Sequence, residues 1–129
     1  MAGRLNNRPA RVVDASAIAA MLFAEPDADV VAKELEGKEL CAPSLLPYEL
    51  ASVAHRKAVA VPAMADRIVD ALGLFSRMGI RLVDVDPVHA LHTAHATALS
   101  TYDAAYLALA RDLDLPLTTL DARLRRASM

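Results

Sequence analysis

Tryptophan is absent from this 129-residue chain, and aromatic residues make up only 4% of it. Hydrophobic residues nevertheless reach 55%. Wholesale disorder is therefore excluded, and the core has to be built from Ala, Leu, Val and Ile. A single cysteine, Cys41, rules out an internal disulfide and fits a reducing compartment. Lying in the apolar stretch "ELCAP", it reads as a buried, inert thiol. A basic excess is missing too. The 14 Lys and Arg against 16 Asp and Glu leave a formal charge of −2. That argues against tight non-specific nucleic-acid binding, without excluding an enzyme that meets RNA briefly at one cleft. No run is long and apolar enough for a membrane span. The longest stretch free of Asp, Glu, Lys and Arg, residues 87–102, carries three histidines. Arg4, Arg8 and Arg11 ahead of "AIAAMLFA" have the outline of a signal peptide, but Asp14 interrupts the approach. The run reads better as a helix, so a cytoplasmic protein with no membrane partner is expected.

What is present alternates. Residues 1–10 have no apolar period and are expected to be a flexible tail, with one domain over 11–129. "RVV" reads as a strand ending at Asp14, and "ASAIAAMLFA" as a helix stopped at Glu25-Pro26. A second helix, capped by Asp27, stops at Gly37. "ELCAP" is a second strand, followed by a helix from about Leu45 to Val59. Another helix is predicted from Pro62 to about Met78, where Met64, Ile68, Leu72, Phe75 and Met78 recur at helical spacing. "IRLVDV" is a third strand. Asp86-Pro87 is an N-cap with proline at the first helical position, opening a helix to about Leu99. A further helix runs to about Leu113, "PLTT" is a fourth strand, and "DARLRRA" is a closing turn or two. Strands alternating with helices imply an α/β domain whose mainly parallel sheet is covered on both faces.

In such sheets ligands bind beyond the carboxyl ends of the strands. Asp14 closes the first strand and Asp121 follows the fourth. Glu49 falls early in the helix after the second strand, and Asp103 in the first turn of the helix before the fourth. All four can reach one edge. Each also has a plain structural explanation. Asp14 and Asp121 can be N-caps, Ser100-x-x-Asp103 matches a capping box, and Glu49 suits a positive helix start. Asp86, which also follows a strand, reads as an ordinary cap, so position alone does not mark a ligand.

The sequence around the acids is more specific. "VVDASAI", "PSLLPYELASV" and "STYDAAYLALARDLDLPLTTLDARL" resemble, in order and spacing, the PIN-domain nucleases and most closely the VapC-type toxins of toxin–antitoxin pairs. The likeness runs from about Arg11 to Leu124. It implies a PIN-like three-layer α/β/α domain with about four strands in the order 3-2-1-4. It also implies Mg²⁺ or Mn²⁺ held by Asp14, Glu49, Asp103 and Asp121, with Asp14 and Asp103 the most direct ligands. The activity implied is metal-dependent endonucleolytic cleavage of RNA, and the partners are an RNA substrate and a cognate small antitoxin. The apolar helix 62–78 exceeds what one small core needs, so part of it is expected to form a homodimer contact and part to receive an antitoxin segment. The chain departs from the family twice: Ser52 stands where the family often has Asn, and the chain stops at "RRASM", too short for a last strand.

Carboxylates without sulfur suit a hard cation, which lowers the pKa of a bound water and neutralises phosphodiester charge. Thr119 and, more weakly, Ser16 are candidates to bond a metal water or the phosphate. Arg123, Arg125 and Arg126 either hold flanking phosphates or form a solvated basic end. His89, His92 and His95 are better read as a helix face than as a zinc site, which needs a third or fourth ligand and a fixed second shell. A receiver domain would need a lysine after a late strand, and none follows Lys57. A haloacid-type phosphatase would need D-x-D where Ser16 stands. The alternative from another class is a catalytically silent PIN-like module that only binds protein or RNA.

Overall fold

The computed structural model describes residues 4–5 and 8–129. Its elements run β1 (Arg4–Leu5), β2 (Arg8–Val13), α1 (Ala15–Leu22), α2 (Ala28–Leu35), β3 (Glu39–Pro43), α3 (Leu46–Ala60), α4 (Ala65–Gly73), β4 (Arg81–Val83), α5 (Pro87–Thr97), α6 (Thr101–Leu113), β5 (Leu117–Thr118) and α7 (Ala122–Ser128). β1 pairs antiparallel with the start of β2. β2 therefore begins inside the segment expected as tail, while residues 1–3, 6 and 7 of that segment lie outside the described residues.

The other pairings are parallel and give the order β4-β3-β2-β5, the order the family resemblance implied. The chain moves outward from β2 through β3 to β4, then returns past β2 to β5. Right-handed crossovers must then place α1–α4 on one face and α5 and α6 on the other, where α7 packs beside α6. The packing agrees: α1 meets α2 and α3, α3 meets α4, and α6 meets α5 and α7. The result is the expected three-layer α/β/α domain.

The core is aliphatic, as the composition requires. Val12, Val13, Ile18, Leu46, Leu50, Leu107 and Leu124 are almost completely buried, each contributing about 1.5–3 kcal/mol. α6 is the central helix, with every residue from Ala104 to Ala110 buried. Cys41 is a buried free thiol whose pKa burial pushes up, as an inert core residue should be.

The segment expected as one helix over 62–78 is α4 flanked by 3₁₀ turns at Pro62–Met64 and Leu74–Arg77. α4 ends at Gly73, a residue with no side chain to pack and a weak helix former, and the chain tightens beyond it. The stripe still works as predicted on its inner side. Ile68 is buried and Leu72, Phe75 and Met78 pack on the core, whereas Met64 is exposed. The third strand is only Arg81–Val83, and among the described residues β4 pairs with β3 alone, as an edge strand. Asp27 precedes α2 without a side-chain capping bond, while Gly37 adopts the left-handed conformation (φ 73°) expected of a stop. Among the described residues no helix is long and apolar enough to cross a membrane.

Candidate active site

β2 lies where the strand order reverses: the chain leaves it toward β3 on one side and returns to β5 on the other. The loops after β2 and β5 diverge to opposite faces and open a crevice at the carboxyl edge. Asp14 is the first residue past β2, and Thr119 the first past β5. α3 brings Glu49 to the same cleft, α6 brings Asp103, and the start of α7 brings Asp121. The cleft, about 590 Å³, is lined by all four of these acids, with Ser16, Tyr48, Ser52, Arg56, Tyr102 and Tyr106 among their neighbours.

Asp14 is the anchored member, only 4% exposed. Its Oδ1 accepts from the Ser16 hydroxyl (2.8 Å) and the Ala17 amide (3.0 Å), and its Oδ2 from the Thr119 hydroxyl (2.6 Å). The two hydroxyls are themselves held from the β5 side. Ser16 Oγ accepts from the Leu120 amide (2.9 Å) and Thr119 Oγ1 from the Asp121 amide (3.0 Å). Ser16 and Thr119, expected to support the metal site or contact the phosphate, bond to Asp14 and tie the β2 and β5 loops together. Burial raises the Asp14 pKa most, against the lowering effect of these donors, and Asp103 raises it further.

Glu49 is half-buried and its Oε1 accepts from the Tyr106 hydroxyl at 2.6 Å. Its pKa is raised by burial first, with Asp103 and Asp14 adding to the rise. The Tyr106 pKa is driven far above its ordinary value, by burial and then by Glu49, so the phenol stays a donor. Asp103 is half-buried, its amide donating to Ser100 Oγ (3.1 Å) as one half of a capping box. Burial raises its pKa, and Asp121 adds to it. Asp121 is exposed and caps α7, accepting from the Leu124 amide at 2.9 Å. The capping readings of Asp14 and Asp121 are thus correct, and they coexist with the cleft.

No group of three or more His, Cys, Asp or Glu side chains among the described residues stands close enough to hold a metal ion as it is. The acids share one cleft and repel one another, but they do not form a closed cage. Among the arginines considered for phosphates, Arg123 donates to the Ala98 carbonyl (2.8 Å) and Arg125 to the Thr119 carbonyl (2.6 Å), so both are at least partly engaged in holding backbone. His89 contacts Asp112, and His92 and His95 are exposed, as a plain helix face would be.

Sequence reasoning overlooked Tyr48, Arg56, Tyr102 and Tyr106. A signal for Tyr106 was present, since it stands three residues after Asp103 and so shares its helix face.

A parallel sheet reversing at β2, with an aspartate at each diverging loop, is the setting in which the family comparison falls. The family model described as "PIN domain" matches residues 11–128, and the chain belongs to that family. It is 31% identical over 121 residues, covering 90% of each chain, to Ribonuclease VapC12 of Mycobacterium tuberculosis. Two crystal structures share the fold. One is a Pyrobaculum aerophilum protein, with TM-score 0.67 and 22% identity over 92% of this chain and 86% of that one. The other is VapC20 of Mycobacterium tuberculosis, a Sarcin-Ricin loop cleaving toxin, with TM-score 0.72 and 14% identity over 93% and 96%.

Proposed function

We propose that this chain is a metal-dependent endoribonuclease, the toxin of a toxin–antitoxin pair, cleaving RNA phosphodiester bonds at the cleft of Asp14, Glu49, Asp103 and Asp121. The observation that carries this reading is the gathering of four acids at the switch-point cleft, three of them with raised pKa values. Such a cluster is costly unless a cation compensates it.

The donor chemistry fits Mg²⁺ or Mn²⁺. The lining offers carboxylate and hydroxyl oxygens and neither sulfur nor imidazole. Asp14 Oδ1 already accepts two bonds and Oδ2 one, which leaves an acceptor site on Oδ2. Mg²⁺ keeps several waters and takes one or two carboxylates directly. Asp14 and Asp103 would hold it so, and Glu49 and Asp121 through water, in keeping with the open spacing of the acids. When bound, the ion supplies a water of lowered pKa and neutralises charge on the phosphodiester.

The chain's own residues do the rest. Ser16, Ala17 and Thr119 fix the Asp14 carboxylate before any ligand arrives. Tyr106 holds Glu49 facing the cleft, where that carboxylate orients the attacking water and can take its proton. No side chain forms a covalent bond to RNA.

The same reading makes the protein a cytoplasmic one, neutralised by a small antitoxin. Exposed Val61, Met64, Val69 and Leu74 around α4 offer apolar surface to that partner or to a second copy in a homodimer.

Purified protein with Mg²⁺ or Mn²⁺ should cut single-stranded RNA, and EDTA should stop it. Equal cleavage by Asp14→Asn protein would defeat the site assignment. RNA binding without cleavage by wild type at any Mg²⁺ or Mn²⁺ concentration would favour the silent binding module.

A further inference from the structure

We propose that Tyr48 and Tyr102 are base-stacking platforms that hold unpaired bases of single-stranded RNA at the acid cleft, with Arg56 on the flanking phosphate. The proposal rests on the ribonuclease reading of that cleft.

The chain has three tyrosines, and all three line the one cleft. Their burial divides them. Tyr106 is 1% exposed, with its hydroxyl held by Glu49, and it forms the floor. Tyr48 and Tyr102 are 80% and 64% exposed, although large aromatic surface is costly to leave in water. Each immediately precedes a cleft acid in the first turn of a helix: Tyr48 before Glu49 on α3, and Tyr102 before Asp103 on α6. Consecutive helix positions point about 100° apart. The same turn that sends a carboxylate inward therefore sets a ring on the rim. The two rings stand on different helices, one from each face of the sheet.

Charge favours such rings. Arg56 is the one cationic side chain among the described residues lining the cleft, against four carboxylates, with Arg123 acting on Asp103 from beside it, so side-chain attraction to phosphate is weak there. Stacking on an aromatic face needs no charge, tolerates any base, and is the usual grip on unpaired RNA. Arg56 is oriented for its share. Its Nη1 donates to Ser52 Oγ at 2.9 Å, one helical turn back along α3.

The test uses full-length protein carrying Asp14→Asn, so that RNA survives, with Mg²⁺ and a short single-stranded RNA containing 2-aminopurine. Tyr48→Ala and Tyr102→Ala should each weaken binding by about tenfold and relieve the quenching of the stacked base. Tyr→Phe at either position should restore both. In the otherwise wild-type chain, the alanine changes should raise KM with little change in kcat. Both rings are exposed, so thermal melts should not move. Alanine variants that bind RNA like the parent, or phenylalanine variants that behave like alanine, overturn the proposal. So does a loss confined to binding the neutralising protein, which would make the rings a protein-docking surface. Quenched, ring-dependent binding by a chain that never cleaves would sustain the stacking role while defeating the ribonuclease reading. A parent that binds no single-stranded RNA defeats both.

Discussion

Asp14 and Asp86 obey the same local rule and end in different surroundings. Each follows a parallel strand, and each caps a helix by accepting a backbone amide, Asp14 from Ala17 and Asp86 from Val88 at 3.1 Å. Asp86 stands past β4, at the sheet edge, exposed, and among the described residues it accepts no further side-chain hydrogen bond. Asp14 stands past β2, where the strand order reverses. There it is buried, takes two hydroxyl donors besides its capping amide, and faces Asp103. The capping motif is common to both. What separates them is which strands lie on either side, since only at the reversal do two loops part to leave a crevice.

The sharpest way to break this comparison is to neutralise both. Asp14→Asn should lower RNA cleavage by about 100-fold or more, at least the upper end of what losing a group one step further from a metal costs. Asp86→Asn should leave the rate within error of wild type, and single-turnover assays of both variants decide it. A comparable loss from Asp86→Asn would mean that the two carboxylates do not differ as argued.

Removing support for Asp14 should cost less than removing Asp14. Thr119→Val takes away its shortest hydrogen bond and should reduce cleavage about 10- to 100-fold, with Thr119→Ser restoring most of it. No change on Thr119→Val would show that the hydroxyl does not orient the carboxylate.

The pH dependence of metal-free stability sharpens the contrast further. Asp14, Glu49 and Asp103 all have folded-state pKa values raised, by burial above all. A raised carboxyl favours the folded state fully below its unfolded pKa, and that contribution disappears as pH rises through the folded value. In EDTA, denaturant midpoints should therefore fall as pH climbs from the ordinary carboxylate range through the raised values. The fall should be shallower in Asp14→Asn and in Asp103→Asn. Parallel curves for wild type and both variants would contradict the assignment of the shifts to these acids.

The smallest effect belongs to the cap alone. Asp86→Ala should lower stability by about 1 kcal/mol without touching cleavage, measured by urea unfolding beside the RNA assay.

Much of this was legible in the sequence, for reasons that differ from element to element. The strand–helix alternation and the caps at Asp86 and Gly37 are written in local chemistry, so they appear where expected. The four acids were legible through their flanking segments, above all the continuous stretch from Ser100 to Leu124, because each motif carries both the acid and the helix that aims it. Ser16 and Thr119 were legible as supporting residues, but their bonds to the Asp14 carboxylate were not. Thr119 reaches Asp14 across from β5, a pairing that only the fold reveals, whereas Ser16 lies two residues from it. The break at Gly73 was missed because the stripe from Ile68 to Met78 keeps its inward face through a 3₁₀ turn, so helical spacing alone does not reveal the change. The exposed rings of Tyr48 and Tyr102 were hidden for the opposite reason. A scarce aromatic in an apolar helix reads as core, and only the assembled cleft shows the two rings left in water.

The central claim, that the acids at the strand reversal await a cation, is tested most directly by thermal melting. Wild type, Asp103→Asn and Asp86→Asn would each be melted in EDTA and in Mg²⁺ at matched ionic strength. Mg²⁺ at about 100 times Kd should stabilise wild type and Asp86→Asn by about 2.7 kcal/mol and Asp103→Asn far less. Asp103→Asn should also match or exceed wild type in EDTA, having shed one repelling charge. If Asp103→Asn instead melts well below wild type in EDTA and all three respond alike to Mg²⁺, then Asp103 is a structural cap and the cleft is not a cation site.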